Sequence, residues 1–133
     1  MMPVLDASVV YELLAGGSGA AAAEERLGEE GAPLWAPQLV DAEVGQALRR
    51  AVRGKAIDAD DAGAALWELD NLPAHRVSHD LLIHHAWALR DNVSFYDGLY
   101  VALAEMLGEP LLTFDARLAR SGVRADIEVL GRG

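Results

Sequence analysis

The chain has 133 residues, 52% of them apolar and 24% charged, no cysteine, and a formal net charge of −10 from 21 acidic and 11 basic residues. This is the length and balance of one globular domain over 1–133, and the absent thiols exclude a disulfide framework, zinc ribbons and thiol catalysis. The acid excess argues against nucleic-acid binding through a basic surface, but leaves open a nuclease whose acidic pocket is neutralised by metal, or a partner with a positive tail.

No stretch reaches the ~20 apolar residues that span a bilayer, and no positive region precedes an apolar run, so the reading is a soluble cytoplasmic protein with no membrane partner. Met2-Pro3-Val4-Leu5 reads as a first strand ending at Asp6. Asp6-Ala7-Ser8 opens a short helix over Val9–Leu14, stopped by Gly16-Gly17. Ser18 or Gly19 starts an Ala-rich helix to about Glu29, with Gly31 past its end. Pro33 to Pro37 bounds a second strand. Leu39 to about Arg53 repeats Leu39, Val40, Val44, Ala47, Leu48, Ala51 and Val52 at helical spacing, and Gly54 ends it. Asp58 caps a helix to about Asp70, and Ala74–Val77 is a weak strand. Ser78 caps a single helix from His79 to about Leu89. Ser94 caps Phe95–Leu107, apolar nearly all round and therefore buried. Leu111–Phe114 is a strand, Ala116–Arg120 a short helix, and Ile127–Leu130 a last strand. Strands alternating with helices imply an α/β fold, with a parallel sheet covered on both faces.

In such a sheet ligands bind outside the carboxyl ends of the strands. Asp6 follows the first strand, and Asp115 follows Leu111–Phe114. Glu43 lies in the first turns of one helix and Asp97 in the first turn of another, and helices after parallel strands begin at that same edge. Four carboxylates can then converge. Each also has a plain structural role: Asp6 and Asp115 as helix caps, Ser94-x-x-Asp97 as a capping box, Glu43 as a favourable charge near a helix start. Together they repel, and stay ionised only with cations or bound protons. Hard oxygen donors select Mg²⁺ or Mn²⁺, a combination suited to phosphoryl chemistry.

Val4-Leu5-Asp6-Ala7-Ser8, Asp41-Ala42-Glu43-Val44, Tyr96 to Ala104 and Thr113-Phe114-Asp115-Ala116-Arg117-Leu118-Ala119 stand in the order and spacing of a known pattern. The whole chain resembles PIN-domain ribonucleases, specifically the VapC toxins of type II toxin–antitoxin modules. The resemblance implies a PIN-like three-layer α/β/α domain whose central, mostly parallel sheet has four to five strands. It implies a metal-dependent endoribonuclease with Asp6, Glu43, Asp97 and Asp115 as the catalytic, metal-holding set and Ser8 and Thr113 as supporting hydroxyls. It also implies an RNA substrate, a cognate antitoxin with a basic inhibitory tail, and a homodimer, for which the apolar faces around Val44–Val52 and Ala62–Leu69 are surfaces to consider. Asp97-Gly98 departs mildly from the Asp-Ala common in the third motif.

Arg49, Arg50 and Arg53 form the local basic cluster, and together with Arg90 they are the RNA-phosphate contacts to test; a solvated helix end would use such residues equally well. His75, His79, His84, His85 and the three tryptophans read as packing or surface residues. Two other functions compete. An Asp-based phosphatase would want Asp-x-Asp, and Ser8 occupies the second position. A catalytically silent module would use the acidic pocket only to hold an antitoxin or RNA.

Overall fold

The computed structural model describes residues 2–28 and 33–132. The expected end of the Ala-rich helix at Glu29 and its stop at Gly31 lie outside the described residues. Strands β1 (Val4–Leu5), β2 (Leu34–Pro37), β3 (Ala74–Val77), β4 (Leu111–Thr113) and β5 (Ile127–Val129) form one sheet in the order β3-β2-β1-β4-β5. Every neighbouring pair is parallel. Parallel pairing demands crossover helices. They are α1 (Ala7–Ala15), α2 (Ala20–Gly28), α3 (Leu39–Arg53), α4 (Ala59–Leu69), α5 (Ile83–Ala88), α6 (Phe95–Leu107) and α7 (Ala116–Ala119). None of the described helices is long and apolar enough to cross a membrane.

The central strand is apolar because both its faces are covered: Val4 and Leu5 are inaccessible, as are Leu111 and Leu112 beside them. Helix α6 fills one layer, burying every residue from Gly98 to Ala104. Its all-round apolar character needs this burial, except at the ends, where Phe95 and Met106 emerge. Gly98 has a packing reason. A Cβ there would come within 3.2 Å of the Ala86 carbonyl, so the glycine lets α5 lie close against α6. Glycines in the left-handed conformation, Gly16 and Gly108, stop α1 and α6.

Two expectations need correction. The helix expected from His79 to Leu89 is broken. A 3₁₀ turn covers His79–Leu81, and the α-helix starts only at Ile83, with the Ser78 side chain capping neither. The break carries Leu82 inward to full burial, where the core takes it as an anchor. The apolar faces considered as dimer surfaces are largely core: Val44, Leu48, Ala62, Ala65 and Leu69 are buried, Val52 is half-buried, and Leu66 and Trp67 are the large apolar side chains that α4 leaves exposed.

Sheet order reverses at β1: the chain moves from it to β2 on one side and later returns to β4 on the other. The carboxyl edge between β1 and β4 is thus the topological switch point, where open α/β sheets leave a crevice.

Candidate active site

Asp6 leaves β1 into that crevice, its backbone N–H bonded to Leu112 O on β4 at 3.0 Å. It occupies the N-cap position of α1, yet its carboxylate makes no capping bond. Instead Oδ2 accepts two hydroxyl bonds, from Ser8 Oγ and Thr113 Oγ1, each 2.7 Å. Both hydroxyl protons point at Asp6, so the oxygens are free to accept in turn. Ser8 Oγ takes the Phe114 N–H at 3.0 Å, and Thr113 Oγ1 takes the Asp115 N–H at 3.0 Å. The 3.5 Å approach of Ser8 to Thr113 is then proximity, since neither hydroxyl has a second proton to share. This network stitches the ends of β1 and β4 and fixes one carboxylate at the switch point. Asp6 and Thr113 are buried, as such a network requires.

Glu43, one turn into α3, accepts the Tyr100 hydroxyl on Oε1 at 2.7 Å. Its pKa is raised by burial and by the charges of Asp6 and Asp97, against the lowering effect of the Tyr100 bond and Arg50. Tyr100 is itself almost wholly buried, and its phenol is held far above the ordinary range by burial and by Glu43. Asp97 starts α6, where the Ser94 hydroxyl accepts its backbone N–H at 3.1 Å. The cap is therefore formed by Ser94, whose hydroxyl also meets the Asp97 carboxylate and opposes the rise in its pKa. Burial raises its pKa first, followed by Asp6 and then Asp115. Asp115 differs: it caps α7 through Arg117 N–H at 2.9 Å and pairs with the Arg117 guanidinium, which lowers its pKa. Arg117 is exposed, and such a surface pair is weak and readily exchanged.

The four acidic residues thus share one edge: Glu43 senses the charges of Asp6 and Asp97, and Asp97 senses those of Asp6 and Asp115. Among the described residues no three acidic or histidine side chains are drawn together as a preassembled cation cage. Their carboxylates rest on protein donors: two hydroxyls, a phenol and a guanidinium. The donor set still fits a hard divalent cation. It is all oxygen, half-buried, and unfavourably charged without compensation.

A cleft of about 310 Å³ beside this edge is lined by Asp6, Ser8, Glu43, Arg50 and Arg132, among others. Arg50 lies two turns beyond Glu43 on the same face of α3. The structure separates it from Arg49 and Arg53, which line a different groove, between α3 and α4. Arg90 stacks over the exposed Trp87 ring at 5.0 Å and donates to the Trp87 carbonyl. His85 binds Glu105 at 2.8 Å and His75 stacks on Trp35, both on packing duty as expected. Asp41, in the same motif as Glu43, binds Arg76 of β3 and serves the scaffold.

Sequence reasoning missed Tyr100 as a site residue. Its signal was present, since it lies three residues after Asp97 and so shares a helix face with it. It also missed Glu12 and Arg132. A glutamate within the apolar run Val9–Leu14 was a usable sign for the first; nothing local marks the second.

A family model described as PIN domain matches residues 4–123. The chain is 46% identical over 129 residues to ribonuclease VapC1 of Mycobacterium tuberculosis, covering 96% of each chain. Its fold matches the crystal structure of M. tuberculosis VapC20, described as a sarcin–ricin loop cleaving toxin, with a TM-score of 0.73 at 18% identity, over 97% of this chain and 99% of that one. It also matches a chain of Rickettsia felis VapBC2, solved bound to a DNA fragment from their promoter, with a TM-score of 0.69 at 11% identity, over 98% and 100%.

Proposed function

The chain belongs to the PIN domain family and resembles its VapC ribonucleases along nearly all its length, and from that premise we propose that it is a divalent-metal-dependent endoribonuclease, the toxin of a toxin–antitoxin pair. The observation that carries this reading is Asp6. At the switch point its carboxylate forgoes its own helix cap and is fixed by two hydroxyls instead, with three more carboxylates at the same edge. A pure scaffold gains nothing from that charge concentration, whereas a cation-dependent nuclease needs it.

Asp6, Asp97 and Asp115 would hold Mg²⁺ or Mn²⁺, with Glu43 completing the pocket. When bound, such an ion supplies charge stabilisation at the phosphoryl oxygens and a more acidic water. The chain's own residues do the positioning. Ser8 and Thr113 hold the Asp6 carboxylate in one orientation. Tyr100 occupies Glu43 Oε1, so Oε2 is left to orient the attacking water and take its proton, a task that the raised pKa suits. Arg117 releases Asp115 and Arg50 meets a substrate phosphate. The acid-lined cleft also suits a basic antitoxin tail through charge complementarity, and the exposed Leu66 and Trp67 suit a homodimer contact. The place of action under this reading is the cytoplasm.

The test compares purified wild-type protein with Asp6→Asn on a single-stranded oligoribonucleotide, with Mg²⁺, with Mn²⁺ and with EDTA. Metal-dependent cutting by the wild type, lost in a folded Asp6→Asn, is the expected result. Equal cutting by both proteins rejects the site. Binding of RNA or partner without any cutting favours a silent module.

A further inference from the structure

The cleft beside the carboxylates has a wall that the four motifs do not explain. Glu12 lies within the apolar run of α1 and is only 5% exposed. A carboxylate buried there is costly unless paired. Its partner comes from the far end of the chain: Arg132 Nε donates to Glu12 Oε1 at 3.2 Å, and Nη2 lies 3.2 Å from the same oxygen. Glu12 Oε2 accepts the Gly19 N–H at 3.3 Å. The Arg132 guanidinium also lies over the Phe114 ring, 4.5 Å from its centre.

The cradle is closely fitted. A Cβ on Gly17 would fall 1.9 Å from Glu12 Oε2, and one on Gly19 would fall 2.5 Å from the Phe114 ring. One edge of the guanidinium and one of its faces are thereby fixed, while Nη1 has no partner among the described residues. Arg132 lines the same cleft as Asp6, Ser8 and Glu43, and its side chain remains 48% exposed. A guanidinium held this way loses little freedom on meeting a phosphate, the group its planar donors suit best.

Resting on the ribonuclease reading, we propose that Arg132 is a substrate-positioning residue that grips a phosphate of single-stranded RNA beside the carboxylates, with Glu12 and Phe114 as its clamp. Arg132→Gln alone would leave Glu12 buried and unpaired, so the test uses the double variant Glu12→Gln/Arg132→Gln, in which no buried charge is stranded. Steady-state cutting of a fluorophore–quencher oligoribonucleotide separates KM from kcat. Fluorescence anisotropy of a labelled single-stranded oligoribonucleotide in EDTA, repeated across KCl concentrations, gives the salt dependence of binding.

The double variant is expected to raise KM by roughly tenfold, the effect of one charge-assisted bond, with kcat changed far less. The slope of log affinity against log salt should shrink by about 0.7, the share of one phosphate contact on a single strand. Arg132→Lys should recover the slope but only part of the KM, having the charge without the fork. A merely structural pair would move the thermal midpoint and leave the slope alone. A folded double variant with wild-type KM and slope, beside a wild type that cuts RNA, overturns this inference and spares the functional reading. A wild type that neither cuts nor binds RNA overturns both.

Discussion

Thr113→Val tests the physical core of the site without touching a carboxylate. Valine keeps the shape and the strand preference but removes the hydroxyl. Thr113 is fully buried, and its Oγ1 makes two bonds: one donated to the Asp6 carboxylate at 2.7 Å, one accepted from Asp115 N–H at 3.0 Å. A bond to a charged group contributes about 1.5–3 kcal/mol and a neutral one about 0.5–1.5, so the variant should lose roughly 2–4 kcal/mol. In a domain of this length each kcal/mol moves the midpoint by about 3–4 °C, which puts the expected fall in Tm at about 6–16 °C. Calorimetry and urea unfolding followed by circular dichroism both read it. Thr113→Ser keeps both bonds and should lose only about 1 kcal/mol, the burial of one methyl. The Asp6 carboxylate, kept by Ser8 alone, should also lose its fixed orientation, lowering cleavage by about 10–100-fold, as changes to the support of metal ligands do. A Thr113→Val protein within about 1 kcal/mol of wild type and equally active would refute the claim that this network holds the site.

Tyr100→Phe removes the donor that lowers the Glu43 pKa, so the acid limb of the pH–rate profile should move to higher pH, with the fold retained. An unmoved limb would separate Glu43 from catalysis. Metal-free stability should depend on pH with a definite sign. Glu43 and Asp97 are raised above their ordinary values of 4.5 and 3.8, so the folded chain binds their protons more tightly than the unfolded chain. Their contribution is fully present below those values and lost as pH rises through the raised folded ones. Asp115 is lowered, so its contribution is present above 3.8 and lost on acidification through its folded value. Asp97→Asn should therefore flatten the decline above pH 4 and unfold at neutral pH no earlier than wild type, while cutting RNA poorly. Titrating Mn²⁺ should raise the wild-type Tm progressively, as mass action on the folded state requires, and should do far less for Asp6→Asn.

Much of this architecture was legible because its signals are local. Helix α3 runs from Leu39 to Arg53 as its apolar repeat and Gly54 dictated, and Ser94 and Gly108 bound α6 as read. Asp6 and Asp115 were placed at one edge by a single rule, that parallel strands end together. The site's finer geometry was not legible, because it depends on contacts between distant segments. Thr113 and Asp6 are 107 positions apart, and Arg132 and Glu12 are 120 apart. Local preference says nothing about such pairings. The break at Leu82 was hidden for a similar reason: the sequence around it continues as a helix until tertiary burial of that one leucine overrides the pattern. The basic cluster was misleading in the opposite way. Adjacent in sequence, Arg49 and Arg50 point into different clefts, since neighbours on a helix diverge by about 100°.

Amide NMR spectra recorded while Mn²⁺ is added report directly where the ion goes, because its unpaired electrons broaden nearby signals. If the four carboxylates hold the ion, broadening centres on residues 6–8, 97–98 and 113–116, reaches α3 at Glu43, and is abolished in Asp6→Asn. Broadening centred elsewhere, such as on the acidic groups around Glu105 and Asp126, or spread evenly over the acidic surface, would contradict that placement.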